Sequence, residues 1–218
     1  MLIDLGNLNM AEIPDIEVRH VKVEAELKRI LKEKHTVVSL GGGHDYGYPD
    51  GSAFVESFKN PLVINFDAHF DVRPMDHGIT SGTPFFRLLE KGVKFDFVEV
   101  GIQSQCASLQ HFEYLKKKKA EVLSFDDFQK SGKPFSEWAV KKLSKYLKKS
   151  RPTFLSLDID VFSSLFAPGA SQSWPMGIDP TEFIKLLDVL DKKLDVRMLG
   201  IYEVSPPLDI DDRTSKLA

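Results

Sequence analysis

Apolar positions along this chain recur with two periods, and segments of the two kinds alternate. Between residues 16 and 34, Val21, Val23, Leu27, Ile30 and Leu31 fall roughly on one helical face, predicting an amphipathic helix. His-Thr-Val-Val-Ser-Leu (35–40) and Leu-Val-Ile-Asn-Phe (62–66) are short apolar or β-branched runs, the mark of buried strands. Further strands are expected over 95–100, 121–124, 153–157 and 196–201, with a short one at Met1-Leu2-Ile3. Helices are expected over 51–57, 83–91, 104–118, 134–149 and 181–191. Pro84 stands in the first turn of one and Asp179-Pro180 opens another. Strands alternating with helices predict βαβ units, an α/β fold and a largely parallel sheet. All strands of such a sheet point one way, and ligands bind beyond their carboxyl ends.

A length of 218 residues suits one domain over 1–218 with a real core. Its 42% hydrophobic and 28% charged residues are ordinary for a soluble globular protein. A net charge of -3 gives no electrostatic reason to expect nucleic acid or an acidic membrane as partner. Lys116 to Lys119 read as the solvated end of a helix. Neither a signal-peptide pattern nor an apolar stretch of membrane-spanning length is present, so the expected location is the cytoplasm. Cys106, the lone cysteine, has no internal disulfide partner and reads as packing.

The chemistry gathers where predicted strands end. Asp67-Ala68-His69-Phe70-Asp71 follows the 62–66 run. In extended backbone, side chains at i, i+2 and i+4 point to one side, so Asp67, His69 and Asp71 converge. Crowding two carboxylates and an imidazole is unfavourable without a counter-charge, and a divalent cation uses these same ligand types. Gly41-Gly42-Gly43 lets the backbone turn sharply after 35–40 and present His44. Asp158 and Asp160 follow 153–157, and Glu203 follows 196–201. Six candidate ligands (His44, Asp67, His69, Asp71, Asp158 and Asp160) exceed the roughly four of a zinc centre. They suit two ions sharing carboxylates, which lower the pKa of a water enough for hydrolysis near neutrality. An oxygen-rich set with two imidazoles and no thiolate favours Mn²⁺ over Mg²⁺ or Zn²⁺. Phosphoester hydrolysis stays open on these grounds, although no cluster of Arg and Lys accompanies the strand ends. Glu203 offers instead a carboxylate suited to a cationic group.

Gly42-Gly43-His44-Asp45, Asp67-Ala68-His69-Phe70-Asp71, Ser156-Leu157-Asp158-Ile159-Asp160 and Glu203-Val204-Ser205-Pro206 together resemble the ureohydrolase family of arginases, agmatinases and formimidoylglutamases. The resemblance runs through nearly the whole chain in the right order. It implies a three-layer αβα fold with a parallel sheet of about eight strands and two Mn²⁺ per subunit. By position, Asp67 and Asp158 match bridging carboxylates, His44 and Asp71 the other ligands of one ion, and His69 and Asp160 those of the second. Glu203 matches the acid that holds the substrate's amidino group through charge-assisted hydrogen bonds. Glu203 and Asp71 are the catalytic candidates, and the partner is a small amidine or guanidine. Self-association into trimers or hexamers is implied as well. Family members usually begin several tens of residues earlier, with a first strand, and continue through a complete C-terminal helix. An N-terminal strand is therefore expected to be missing, leaving a sheet edge unpaired.

Ser81-Gly82-Thr83-Pro84-Phe85 lacks the histidine of the corresponding agmatinase element. With His69 to Arg73 and Asp209-Ile210-Asp211-Asp212-Arg213-Thr214, it is most similar to formimidoylglutamases. Arg73, Ser81, Thr83 and Glu203 are the expected substrate-binding residues, since Arg73 can pair bidentately with a substrate carboxylate. His77 stands as an alternative proton shuttle or a surface-loop residue. The leading expectation is hydrolysis of N-formimidoyl-L-glutamate to L-glutamate and formamide. Its rivals are an agmatinase or guanidino-acid hydrolase, an arginase, and a metal-binding but inactive family member.

Overall fold

Six strands form one sheet: β1 (Val37–Leu40), β2 (Leu62–Phe66), β3 (Asp96–Ile102), β4 (Glu121–Ser124), β5 (Pro152–Asp158) and β6 (Asp195–Tyr202). They lie in the order β1-β6-β5-β2-β3-β4, and every neighbouring pair is parallel. The structure is a computed structural model that describes residues 2–8, 12–148 and 150–218. From β2 the sheet grows through β3 and β4 to one side, while β5 and β6 return on the other. Strand order thus reverses between β2 and β5, which is where open parallel sheets leave a crevice beyond their carboxyl ends.

Helices cover both faces. On one, α5 (Phe125–Ser131), α6 (Phe135–Leu143) and α7 (Pro180–Lys193) pack with Leu62, Ile64, Phe66, Leu155 and Leu157. On the other, α1 (Ile16–Lys32), α2 (Gly47–Ser57), α3 (Pro84–Glu90) and α4 (Leu109–Lys117) pack with Val63, Phe154 and Met198. Consecutive residues of β2 thereby serve opposite layers, and all five are buried, as a central parallel strand requires. Helix starts follow side-chain capping: Asp15 accepts from the Glu17 and Val18 amides, and Asp179 from that of Thr181 ahead of Pro180. A short helix, α8 (Arg213–Leu217), follows β6. No helix among the described residues is long and apolar enough to cross a membrane.

The αβα expectation stands, with six corrections. The sheet has six strands among the described residues rather than about eight. Met1 lies outside the described residues, and Leu2 and Ile3 are exposed and in no strand. Helix α2 starts at Gly47, not 51, and buries most of its length. The 104–118 helix splits into a 3₁₀ turn, Ser104–Cys106, and α4, because Ala107 and the Ser108 cap are extended. Helix α5 was unexpected although Ser124 caps it and the left-handed Gly132 ends it; α6 closes at Leu143, short of 149.

Gly101 marks where β3 bends to let the chemistry in. The β3–β4 register shifts between Val100 and Ile102, and Gly101 has φ +103. A Cβ there would lie 2.6 Å from Val161 Cγ2 and 3.1 Å from the Asp67 carbonyl. Gly101→Ala is therefore expected to destabilise the protein by at least about 1 kcal/mol, read as a lowered urea midpoint. An unchanged midpoint would contradict this account of the bend.

Candidate metal centre

Beyond the carboxyl ends of β1, β2 and β5, the six predicted ligands come together in two groups. His44, Asp67, Asp71 and Asp158 offer atoms within 4.8 Å of one another, and so do Asp67, His69 and Asp160. Asp67 belongs to both. His44 Nδ1 lies 2.9 Å from Asp71 Oδ2, 3.1 Å from Asp158 Oδ2 and 3.2 Å from Asp67 Oδ2. His69 Nδ1 lies 3.0 Å from Asp160 Oδ2 and 3.5 Å from Asp67 Oδ1. Asp158 stands in the first group alone: its other oxygen accepts the Asp160 amide at 2.9 Å, closing the turn after β5. Both carboxylates have one oxygen engaged by backbone, Asp67 Oδ1 accepting the His69 amide at 2.6 Å and Asp158 Oδ1 that of Asp160 at 2.9 Å.

The backbone is bent to reach this geometry. Asp71 adopts φ +48 and Glu203 φ +64, left-handed conformations that cost a non-glycine residue energy. Both are tied down. The Asp71 carbonyl accepts the Phe85 amide at 3.1 Å, and the Glu203 amide donates to the Gly42 carbonyl at 2.9 Å. Glu203 Oε1 accepts the His44 amide at 2.7 Å, and Ser171 Oγ lies 3.4 Å from Oε2.

Electrostatics show why a cation belongs here. Burial opposes a charged His44, yet Asp158, Asp67 and Asp71 outweigh it and hold its pKa well above the ordinary value. Burial likewise opposes His69, but Asp160 and Asp67 push it up to about 12. Burial and the charge of Asp67 push Asp71 up to about 7, and Asp158 and Asp160 rise for similar reasons. Asp67 alone falls, its burial overcome by the two imidazoles. His44 Nδ1 has no hydrogen-bond partner of its own although three carboxylates surround it. Neutral imidazoles facing these oxygens would set lone pair against lone pair, and a divalent ion resolves that. The donor set of carboxylate oxygens with two imidazoles fits Mn²⁺.

A surrounding layer orients the ligands. His44 Nε2 lies 2.9 Å from Ser156 Oγ; donation from Nε2–H would leave Nδ1 free for an ion. Asn65 Nδ2 donates to Asp67 Oδ2 at 3.3 Å and to Glu99 Oε2 at 2.9 Å. Burial and the charge of Asp67 hold the fully buried Glu99 well above the carboxylate range. His20, also buried, contacts Asp45 Oδ2 at 2.8 Å beside the metal loop, and Arg87 Nη1 reaches its Nδ1 at 2.7 Å. None of His20, Asp50, Glu99 or Tyr202 stood out in the sequence. A lone Glu in the apolar run Phe97-Val98-Glu99-Val100 was the one available signal.

The expected substrate residues behave unequally. The Arg73 guanidinium lies against Gly82, 3.1 Å from where a Cβ would be, with its Nη1 3.5 Å from Thr80 Oγ1. Its amide donates to the Gly82 carbonyl at 2.8 Å, so the 80–83 turn cradles it. Thr83 is fully buried and its hydroxyl is engaged within that turn, donating to the Thr80 carbonyl at 2.7 Å and accepting the Thr80 amide at 3.2 Å. This assigns Thr83 to building the cradle. Ser81 and His77 are exposed.

A parallel α/β sheet carrying two ligand groups that share one carboxylate at its switch point defines a candidate binuclear metalloprotein. The sequence model of the arginase family matches residues 1–218. A formimidoylglutamase of Legionella pneumophila (strain Lens) is 30% identical over 222 residues, covering 99% of this chain and 68% of the relative. One of Halalkalibacterium halodurans is 32% identical over 223 residues, covering 100% and 69%. The crystal structure of Trypanosoma cruzi formiminoglutamase with Mn²⁺ superposes with a TM-score of 0.81 at 28% identity, covering 94% of this chain and 68% of that one. The chain belongs to the arginase family.

Metal-free, the imidazoles hold protons that an ion must displace. Mn²⁺ loading near pH 7 is expected to release about one or two protons per chain, and affinity is expected to rise with pH. Calorimetry in buffers of differing ionisation enthalpy reads the release, and buffer-independent heats would contradict the protonation described.

Proposed function

We propose that the protein is a Mn²⁺-dependent hydrolase of linear amidines, converting N-formimidoyl-L-glutamate and water to L-glutamate and formamide. The observation that carries this reading is the pair of ligand groups sharing Asp67, with Glu203 hydrogen-bonded to the amide of His44. The formimidoylglutamase relatives and family membership support the substrate. The same reading takes two Mn²⁺ per subunit, a homo-oligomer of three or six chains and a cytoplasmic setting.

When bound, two such ions supply Lewis acidity and lower the pKa of a shared water. This chain's residues do the rest. His44, Asp71 and Asp158 would hold one ion and His69 and Asp160 the other, with Asp67 between them. Glu203, fixed through Oε1, presents Oε2 to the amidinium N–H groups, where a charge-assisted hydrogen bond orients the reacting carbon. Asp71 has the most accessible carboxylate of the four, with its side chain 11% exposed, and would pass a proton to the departing amine. The water oxygen becomes the formamide oxygen, and the bond to the glutamate nitrogen breaks. Arg73, steadied by the 80–83 turn, meets a substrate carboxylate.

Assayed with Mn²⁺ against formimidoylglutamate, agmatine, arginine and guanidino acids, the protein is expected to release formamide from the first and no urea from the others. Urea without formamide would overturn the substrate assignment. Glu203→Gln is expected to keep its metal while kcat/KM falls at least about 10-fold, from loss of a charge-assisted hydrogen bond. Asp158→Ala should lose metal and turnover together. A Glu203→Gln enzyme with full activity would remove Glu203 from the mechanism.

A further inference from the structure

His44 is held by more than its loop. Its ring stacks on Tyr202, with centroids 4.8 Å apart and planes 23° from parallel. Phe85 meets it edge-on at 5.3 Å, and at Gly47 a Cβ would lie 3.1 Å from His44 Cδ2. Tyr202 sits in a slot of its own. Its hydroxyl donates to Asp50 Oδ2 at 2.6 Å, and both residues are fully buried. Two glycines make room for the phenol. A Cβ at Gly41 would stand 2.6 Å from Tyr202 Cδ1, and one at Gly200 would strike the phenol oxygen. The ring is thus fixed by an acceptor at its tip, by side-chain-free backbone at Gly41 and Gly200, and by a stacking contact with His44.

We propose that Tyr202 and Asp50 are positioning residues that lock the His44 imidazole in the orientation an ion needs, so that they govern affinity at the His44 site and not at the His69–Asp160 site. The inference rests on the metal-centre reading above. Ser156 bonds the distal nitrogen of His44 within the ring plane, while Tyr202 limits tilt out of it. The two constraints together leave Nδ1 aimed at the point where Asp67, Asp71 and Asp158 converge. Asp50 acts at one remove: without its oxygen the buried phenol hydroxyl loses its partner and the ring loses its anchor. His69 makes no aromatic contact of this kind among the described residues, so its ion has no share in the device.

The test is stepwise Mn²⁺ titration of metal-free full-length protein, followed by calorimetry and EPR, with thermal melts of each metal-free variant. Tyr202→Phe keeps the ring and removes one oxygen, and Asp50→Ala removes the acceptor. Each is expected to weaken the His44 site about 10-fold, the low end for groups that orient metal ligands. The double variant should be no worse than either single one, because both delete the same hydrogen bond. Asp50→Asn, which retains an acceptor oxygen, should bind like the parent. The other site should change by less than about 3-fold. Unaltered affinity at both sites in a folded Tyr202→Phe protein, or an equal loss at both, would overturn the proposal. Should Asp50→Ala fail to fold, Tyr202→Phe decides by the same criteria. No substrate enters the measurement, so the hydrolase reading and this one fail separately; a parent that binds no Mn²⁺ sinks both.

Discussion

Like charges gathered in one dry place are the constraint on which this structure turns. Four carboxylates and two imidazoles lie around the switch point of a parallel sheet, and with all but His69 and Asp71 buried, little water is left to dilute the repulsion among the carboxylates. In the metal-free chain the carboxylates raise both imidazole pKa values against the opposing effect of burial, which favours protons that balance part of that charge. A bound divalent cation would balance more of it. The apolar layers on both faces of the sheet offset the remaining cost: β2 is buried along its whole length and ends directly in the first ligand.

Behind the ligands, buried polar side chains brace the centre, each in its own way. Asn65 bridges the shared carboxylate Asp67 to Glu99, whose carboxyl is held well above the ordinary range by burial and by the charge of Asp67. His20 braces Asp45 and is itself held by Arg87, whose guanidinium lies 3.7 Å from the Tyr48 ring centroid. These supports come from α1, α2 and α3, elements that supply no ligand. Their contribution is orientation, which decides whether a collection of donor atoms binds an ion tightly or merely surrounds it.

Much of this was legible in the chain, and the reason is local. The i, i+2, i+4 rule singled out Asp67, His69 and Asp71, but β2 ends at Phe66, the chain bends at Ala68 and His69, and Asp71 is left-handed, so a turn and not an extended strand gathers them. Ligands that leave the ends of β1 and β5 follow from strand direction alone. Side-chain hydrogen bonds across layers do not. Asp50 sits on a helix and Tyr202 on a strand 152 residues away, and only tertiary packing brings them to 2.6 Å. The Thr83 hydroxyl, by contrast, makes a contact that is wholly local, closing a turn within four residues. The number of strands went astray because a family likeness, unlike periodicity, says nothing about which segments this chain carries.

The hydrogen bond from the His44 amide to Glu203 makes one stretch of backbone answer to two ligands. An ion that stills His44 would also still Glu203, the acid proposed to hold the amidino group, and a cation gripping that acid would pull back on the loop. Thermodynamic reciprocity then links the two occupancies: whatever factor metal adds to substrate affinity, substrate adds to metal affinity. In such a protein a scarce ion is best retained while there is work to do.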